Sequence, residues 1–527
     1  MPISLVLIVL AGAAVRLTGI GWGLPLHLHP DEWVIVDGAL DMAKRHSFEP
    51  PYYFRPDHVE MQLSNLAYLG YSYIFHGSSP GALSAKDIVP FFLISRLITA
   101  CFGIGMIVLS YRIGLRFNRT IGVLSAFFFA FFPPFVLNSH FATPDVPLSF
   151  AFMIVILGCM RYQEDPQWRN LFLASLGVSI AFAIKYPGAL GTIMIAIVII
   201  VRAIQDKTWR RIFIHGLGAI GAVIGFLFLI SPVLFTNGAV VWHSLTGEAG
   251  TQHLGADNLG WFGKIGFYAT DFATGAGITM VLLFLLGIFW SRRLHLCLSI
   301  PLWMGVIVWP SLAVVPVHWS RWGLPMYLTP LLIAPIGVYY SSRFLFDRPV
   351  AVWVRWMGAA VGALMVANLV IASVAVSAQF VAPNTQNVGQ GDFAARGVTP
   401  ENTISDGYTP LIPGGPMQIF DRFEVLDGRL VVDPSASNRA KMRYVAVSSG
   451  MYDRYNAEPK YQDQQRFYRL LSEQFPLVTT LEPVPGPDPS VFAAVGIWRS
   501  IGYVDGVSRS GYSGPTIKLY AIPANRR

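Results

Sequence analysis

The sequence predicts an α-helical, polytopic membrane protein of about eleven transmembrane helices, followed by a small C-terminal α/β domain on the extracytoplasmic side. Three observations carry that expectation. Of 527 residues, 54% are hydrophobic and only 13% charged, and mean hydropathy is +0.51, which is membrane-protein composition. The apolar residues fall in long blocks, several of which reach the ~20 residues that a helix needs to cross a ~30 Å hydrocarbon layer. Near Pro383 these blocks give way to mixed sequence with turn signals.

Taken in order, the apolar blocks place spans at about 3–20, 88–111, 120–138, 145–161, 170–184, 188–203, 212–234, 272–290, 295–315, 323–341 and 351–377. The first has an apolar core without a basic n-region and carries Arg16 near its far end, so it reads as a retained helix rather than a cleaved signal peptide. Alternate connections hold Arg112, Arg116 and Arg119; Arg161 and Arg169; Arg202, Lys207, Arg210 and Arg211; Arg292 and Arg293; Arg343 and Arg348. These loops belong on the cytoplasmic side. The net charge of +8 is then topological and implies no nucleic-acid partner. The remaining loops, including the long segment 22–87 with more acids than bases, face outward, and an odd number of spans puts the tail outside as well. Within 170–203, Lys185-Tyr186-Pro187-Gly188 must break one long apolar run into a tight hairpin. Cys101, Cys159 and Cys297 lie in or beside apolar segments without paired spacing, which implies neither a disulfide framework nor a zinc site.

The chain divides into a membrane domain, 1–380, and a soluble tail, 381–527. In the tail, 443–449, 477–483 and 516–522 have strand character and 461–475 has helical spacing, with turn signals at Pro413-Gly414-Gly415 and Asp427-Gly428. No nucleotide-binding glycine fingerprint, P-loop or internal repeat is present.

Chemistry-bearing residues gather in the outward loops. His29-Pro30-Asp31-Glu32-Trp33 precedes a helical pattern, and a carboxylate there could take a proton from an acceptor hydroxyl; equally, Asp31 or Glu32 could serve only the helix start. Asp145, in Thr143-Pro144-Asp145, has an ordinary helix-start reading with Thr143 as N-cap. It gains weight by lying on the same membrane face as Asp31. Lys185, Arg321 and Arg96 are cations at or inside the membrane edge, expensive there unless paired or functional; a phosphate-bearing lipid would give them partners, and the alternatives are snorkelling to the interface or pairing with a protein carboxylate, Arg96 most of all pairing internally. Five of the eleven histidines lie in the first outer loop, but none is spaced as a metal pair on one helix, so they read as hydrogen-bonding groups.

HPDEW with VDGAL after it, SRLITACFGIGMI, FATPDVPLSFAFMIVIL, KYPG and RWGLPMYLTPLL together resemble the membrane glycosyltransferases of the GT-C fold that use polyprenyl- or dolichyl-phosphate sugars, in the protein O-mannosyltransferase and aminoarabinose-transferase superfamily. The resemblance covers about residues 1–345. It implies an inverting sugar transfer on the extracytoplasmic side, with Asp31 as general base on the acceptor hydroxyl and Glu32 beside it. Asp145 would be the second outer acid, and Lys185 and Arg321 would hold the lipid phosphate. The tail resembles the C-terminal domains of bacterial relatives, whose role is acceptor handling, which implies a bacterial inner membrane and undecaprenyl phosphate as carrier. The acceptor would be a glycan, lipid or protein; the lack of a β-trefoil repeat puts protein in doubt. In such a scheme no cofactor is required and a divalent metal is optional. The competing class is a secondary transporter or channel with an outer domain, but the acids sit at the membrane's outer face and no two-half symmetry is evident.

Overall fold

The computed structural model describes residues 2–250, 259–291, 299–314, 318–433, 441–486, 490, 492–509 and 511–524. Arg292, Arg293 and Cys297, noted in the sequence, lie outside these residues. Six helices are long and apolar enough to cross a membrane: Val89–Gly114, Asp145–Glu164, Tyr186–Gln205, Arg210–Ile230, Ser320–Asp347 and Val352–Val381. A seventh span is possible if Trp261–Ala276 and Ile278–Ser291, bent by 110° at Gly277, are taken as one. Shorter apolar helices occupy Ile3–Leu17, Arg119–Ala130, Trp168–Ile184 and Ile300–Val314. Among the described residues the apolar blocks of the sequence fall on helices, six or seven of which are established as spans by length and composition.

The breaks follow local chemistry. Arg119–Ala130 stops before Phe132-Pro133-Pro134, because a proline cannot donate the next helical hydrogen bond. The helix end this leaves inside the bundle is satisfied by Arg16, which donates to the carbonyls of Ala130 (2.8 Å) and Phe129 (2.7 Å) and to Gly12 of its own helix (2.9 Å). The Lys185–Gly188 break occurs as expected: Trp168–Ile184 ends at Lys185, a 3₁₀ turn covers Tyr186–Leu190, and Gly191–Gln205 returns. Gly188 allows this close return, since a Cβ there would lie 2.1 Å from the Ala181 carbonyl carbon.

The long first loop is helical rather than irregular. Glu32–Arg45 buries Val34, Ile35, Val36, Ala39 and Met42 against His58–Leu69 and the span Val89–Gly114, and Pro80–Lys86 is capped by the Ser79 hydroxyl. After Val381 the chain forms a four-stranded sheet of β1 (Thr403–Ser405), β4 (Tyr444–Ser448), β5 (Leu477–Leu481) and β6 (Ile517–Ala521) in the order β1-β4-β6-β5, with β1 and β4 parallel. Three of these strands fall where the sequence placed them; β1 has only three residues and gave no period to read. A separate hairpin joins β2 (Phe423–Leu426) to β3 (Arg429–Val432) through Asp427-Gly428, both at positive φ as a two-residue hairpin turn demands. Helix Gln462–Gln474 buries Phe467, Tyr468 and Leu471, spaced to lie on one face. Helix Ala493–Ser508, unanticipated, packs on the last span.

Candidate active site

At one end of the helical bundle the first loop, the segment before Asp145, the Lys185 turn and the segment before Leu324 meet. Asp31 immediately precedes the helix Glu32–Arg45, yet its side chain makes no capping hydrogen bond. It points instead to Arg321, on the 3₁₀ turn Ser320–Gly323, and forms an ion pair with its Nη1. Arg321 Nε also lies 3.8 Å from Asp145 Oδ2, and Lys185 Nζ donates to Asp145 Oδ1 at 3.0 Å. Four charges from four distant segments thus form one continuous chain: Asp31, Arg321, Asp145, Lys185. Lys185 further sits over the Trp322 ring at 5.1 Å, a cation–π contact. Asp31 and Arg321 keep 28% and 24% of their side-chain surface, whereas Asp145 keeps 3%, so solvent or a ligand reaches the Asp31 end.

The expected N-cap at Thr143 does not form. The helix starts one residue later than that reading required, Pro144 takes the cap position without a side-chain bond, and the buried Thr143 hydroxyl has no hydrogen-bond partner. Asp145 is held by its cations rather than by a capping role.

The electrostatics follow from these neighbours. Burial pushes the Asp31 carboxyl up, but Arg321, then Arg55 and His29, outweigh it and hold the group below its usual range. His29 is pulled down to about 4 by burial, so it is neutral near pH 7. Its Nδ1 accepts the Asp31 backbone N–H at 3.3 Å while the ring rests on Phe141, fixing the turn that aims Asp31.

Three contributors were not singled out from the sequence. Arg55 donates from Nε to Asp57 Oδ2 at 2.5 Å, and both act electrostatically on the chain of charges: Arg55 on Asp31, and Asp145 and Lys185 on Asp57. Burial outweighs Arg55 and raises the Asp57 carboxyl; Glu60, one turn further on, is raised well above its ordinary value, first by burial and then by Asp57. Arg55 Nη2, Asp57 Oδ1 and Glu60 Oε2 are buried without hydrogen-bond partners. Arg55-Pro56-Asp57, opposite charges flanking a proline inside an outward loop, was the readable signal.

Glu32 and Arg96 depart from the expectation. Arg96 is fully buried and donates from Nε and Nη2 to the two oxygens of Glu32, each at 2.7 Å, while Nη1 donates to the carbonyls of Ile20 (2.8 Å) and Trp22 (2.7 Å). Glu32 Oε1 also accepts from Ala142 N at 2.9 Å. Each Arg96 nitrogen and each Glu32 oxygen already has a partner within the protein, and both residues are buried. The pair fastens the first loop to the bundle and to the segment before Asp145, and so positions Asp31.

Among the described residues no group of three His, Cys, Asp or Glu side chains is placed to hold a metal ion. Several described histidines serve as hydrogen-bonding or stacking groups: His140 on the backbone of Val136 and Thr18, His58 with Ser231, His27 on Phe92.

This architecture is that of the GT-C fold. The structure is similar to the oligosaccharyltransferase of Archaeoglobus fulgidus tethered with an acceptor peptide, with a TM-score of 0.51 at 11% identity over 91% of this chain and 72% of that one. It also aligns with ArnT of Cupriavidus metallidurans bound to undecaprenyl phosphate, TM-score 0.49 at 16% identity over 75% and 72%, and with the Pmt1-Pmt2 complex of S. cerevisiae bound to its sugar donor, TM-score 0.32 at 18% identity over 46% and 34%. Within the fold, residues 83–235 match the dolichyl-phosphate-mannose-protein mannosyltransferase family. No curated protein sequence matches the chain.

Proposed function

We propose that this chain transfers a sugar from a polyprenyl-phosphate-linked donor to an acceptor hydroxyl at the extracytoplasmic face of the membrane, with inversion at the anomeric carbon. Asp31 is the general base. The acceptor oxygen forms a bond to the anomeric carbon as Asp31 accepts its proton, the bond from that carbon to the lipid phosphate breaks, and the phosphate leaves with its charge held by Arg321, Lys185 and Arg55. Such a reaction needs positioning, stabilisation of the leaving phosphate and one base. The observation that carries the reading is the continuous chain of Asp31, Arg321, Asp145 and Lys185, which four separate segments bring to one end of the bundle. The unpartnered Nη2 of partly buried Arg55 beside it suits an incoming anion. The match of residues 83–235 to a family named for a dolichyl-phosphate sugar supports the donor class.

In the free enzyme Arg321 neutralises Asp31. A donor phosphate competes for that guanidinium, and as Arg321 turns to it the Asp31 carboxylate becomes more basic and free to face the acceptor. The four shorter apolar helices and the bent pair complete eleven crossings, the arginine-rich loops lie in the cytoplasm, and the domain 381–527 stands outside with the site. Its bacterial inner-membrane setting and undecaprenyl carrier belong to the same reading.

The test supplies purified protein in nanodiscs with radiolabelled polyprenyl-phosphate sugars and mixed acceptors. Donor consumption and a product of inverted anomeric configuration are expected. Retained configuration would remove the single-displacement mechanism, and absence of turnover across donors would remove the function.

A further inference from the structure

Two side chains of the C-terminal domain reach the charged site and are not used by the chemistry above. Tyr408, in the turn after β1, has φ +57, a left-handed conformation that bulky residues adopt only where their surroundings impose it, and such strain concentrates at functional sites. The charges of Asp31 and Arg321 both act on its phenol. Arg454, on the helix Ser449–Asn456, donates from Nη2 to the Tyr408 hydroxyl at 3.1 Å. Its guanidinium lies 5.0 Å from the Tyr408 ring centre and 5.8 Å from that of Trp319, two residues before Arg321. The same loop is seated on the first loop, since a Cβ at Gly414 would come within 2.4 Å of the His27 carbonyl oxygen.

The three membrane-domain cations gathered at the site each have a carboxylate: Arg321 with Asp31, Lys185 with Asp145, Arg55 with Asp57. Arg454 has a phenol instead, and among the described residues no carboxylate pairs with it. It is half-buried between aromatic rings, which leaves its charge available to an anion and its planar fork fixed for two oxygens.

We propose that Arg454, held by Tyr408, is an acceptor subsite that binds an anionic group of the acceptor, a phosphate or carboxylate, and turns the acceptor hydroxyl towards Asp31. The assignment rests on the transferase reading. The acceptor is favoured over the donor because a lipid-linked phosphate stays at the end of the bundle, where three cations already gather, whereas Arg454 belongs to the domain that covers that end.

The experiment uses full-length protein in nanodiscs saturated with undecaprenyl phosphate, so that the membrane-domain cations are occupied. Binding of glucose 1-phosphate and of neutral methyl glucoside is compared by saturation-transfer NMR. Wild type should bind the phosphorylated probe more tightly, Arg454→Gln should weaken it by about ten-fold or more, and Arg454→Lys should restore part of the loss. Tyr408→Phe should weaken it less, while undecaprenyl phosphate affinity and thermal unfolding stay unchanged in all three. An unaltered probe affinity in Arg454→Gln, or equal binding of the two probes, overturns the subsite. A parallel fall in undecaprenyl phosphate affinity assigns Arg454 to the donor and overturns it too. Failure of wild type to bind undecaprenyl phosphate at all removes the functional reading, and the subsite with it.

Discussion

Glu32→Gln separates the two adjacent acids, which the local sequence pattern left equivalent and only the family resemblance told apart. Glu32 is fully buried and its two oxygens accept three hydrogen bonds, two of them charge-assisted from Arg96. The substitution keeps the shape but strands the Arg96 charge, and breaking a buried pair by removing one partner costs about 3–5 kcal/mol. At roughly 2 °C per kcal/mol, the low end that suits a long chain, the midpoint of thermal unfolding falls by about 6–10 °C. Asp31 is partly exposed and makes no cap bond, so Asp31→Asn should cost below about 1 kcal/mol. Activity runs the other way. Loss of a general base lowers turnover by about 10²–10⁴-fold, whereas Glu32→Gln, measured at a temperature where it is folded, should lose less than about ten-fold, since it acts only by positioning. The assays are thermal unfolding and donor turnover on the same nanodisc preparations. A Glu32→Gln protein with unchanged melting and activity as low as that of Asp31→Asn would refute this division of roles.

Further outcomes follow from the same geometry. Lys185→Met strands the buried Asp145 carboxylate, with only Arg321 at 3.8 Å to compensate; unfolding measurements should show a loss of about 3 kcal/mol, together with weaker binding of undecaprenyl phosphate. Because Arg321 is the largest influence holding the Asp31 carboxyl down against burial, Arg321→Gln should move the acid limb of the kcat/KM profile to higher pH; a limb that stays in place would show that another group titrates. Burial lifts the Asp406 carboxyl to about 7, although Tyr468 and the Gly407 N–H favour its charged form. The unfolded chain therefore ionises first at this position, and the contribution of Asp406 to stability, fully present below about pH 4, is lost as pH rises to about 7, an effect on the order of 4 kcal/mol. Asp406→Asn should flatten that dependence in denaturant titrations between pH 4 and 8. Asp427→Cys should react with a membrane-impermeant thiol reagent applied to intact cells if the C-terminal domain is outside; protection until lysis would reverse the topology.

The helices were legible because apolar blocks and Pro-Gly breaks are local signals, and the Asp427-Gly428 hairpin and the strands at 444–448 and 517–521 were read for the same reason. What exceeded sequence reading was pairing. Arg96 and Glu32 are 64 positions apart; internal pairing of Arg96 was an alternative in the sequence, but nothing local named Glu32 as its partner. Asp31 and Asp145 were placed on one face by topology, but their common partner Arg321 is fixed only by tertiary packing. Arg55, Tyr408 and Arg454 were missed because their significance lies in neighbours from distant segments: an isolated arginine in a loop or a tyrosine after a three-residue strand has no periodicity to mark it. Thr143-Pro144-Asp145 reads as a complete helix start, and the structure shows the acid taken by Lys185 instead.

The most direct measurement is single-turnover transfer from a radiolabelled polyprenyl-phosphate sugar by wild-type and Asp31→Asn protein in nanodiscs, with donor binding determined in parallel. If Asp31 is the base, the variant binds the donor at least as well as wild type, since Arg321 is freed for the phosphate, and transfers it about 10²–10⁴-fold more slowly. Transfer at the wild-type rate with full donor occupancy would contradict the account.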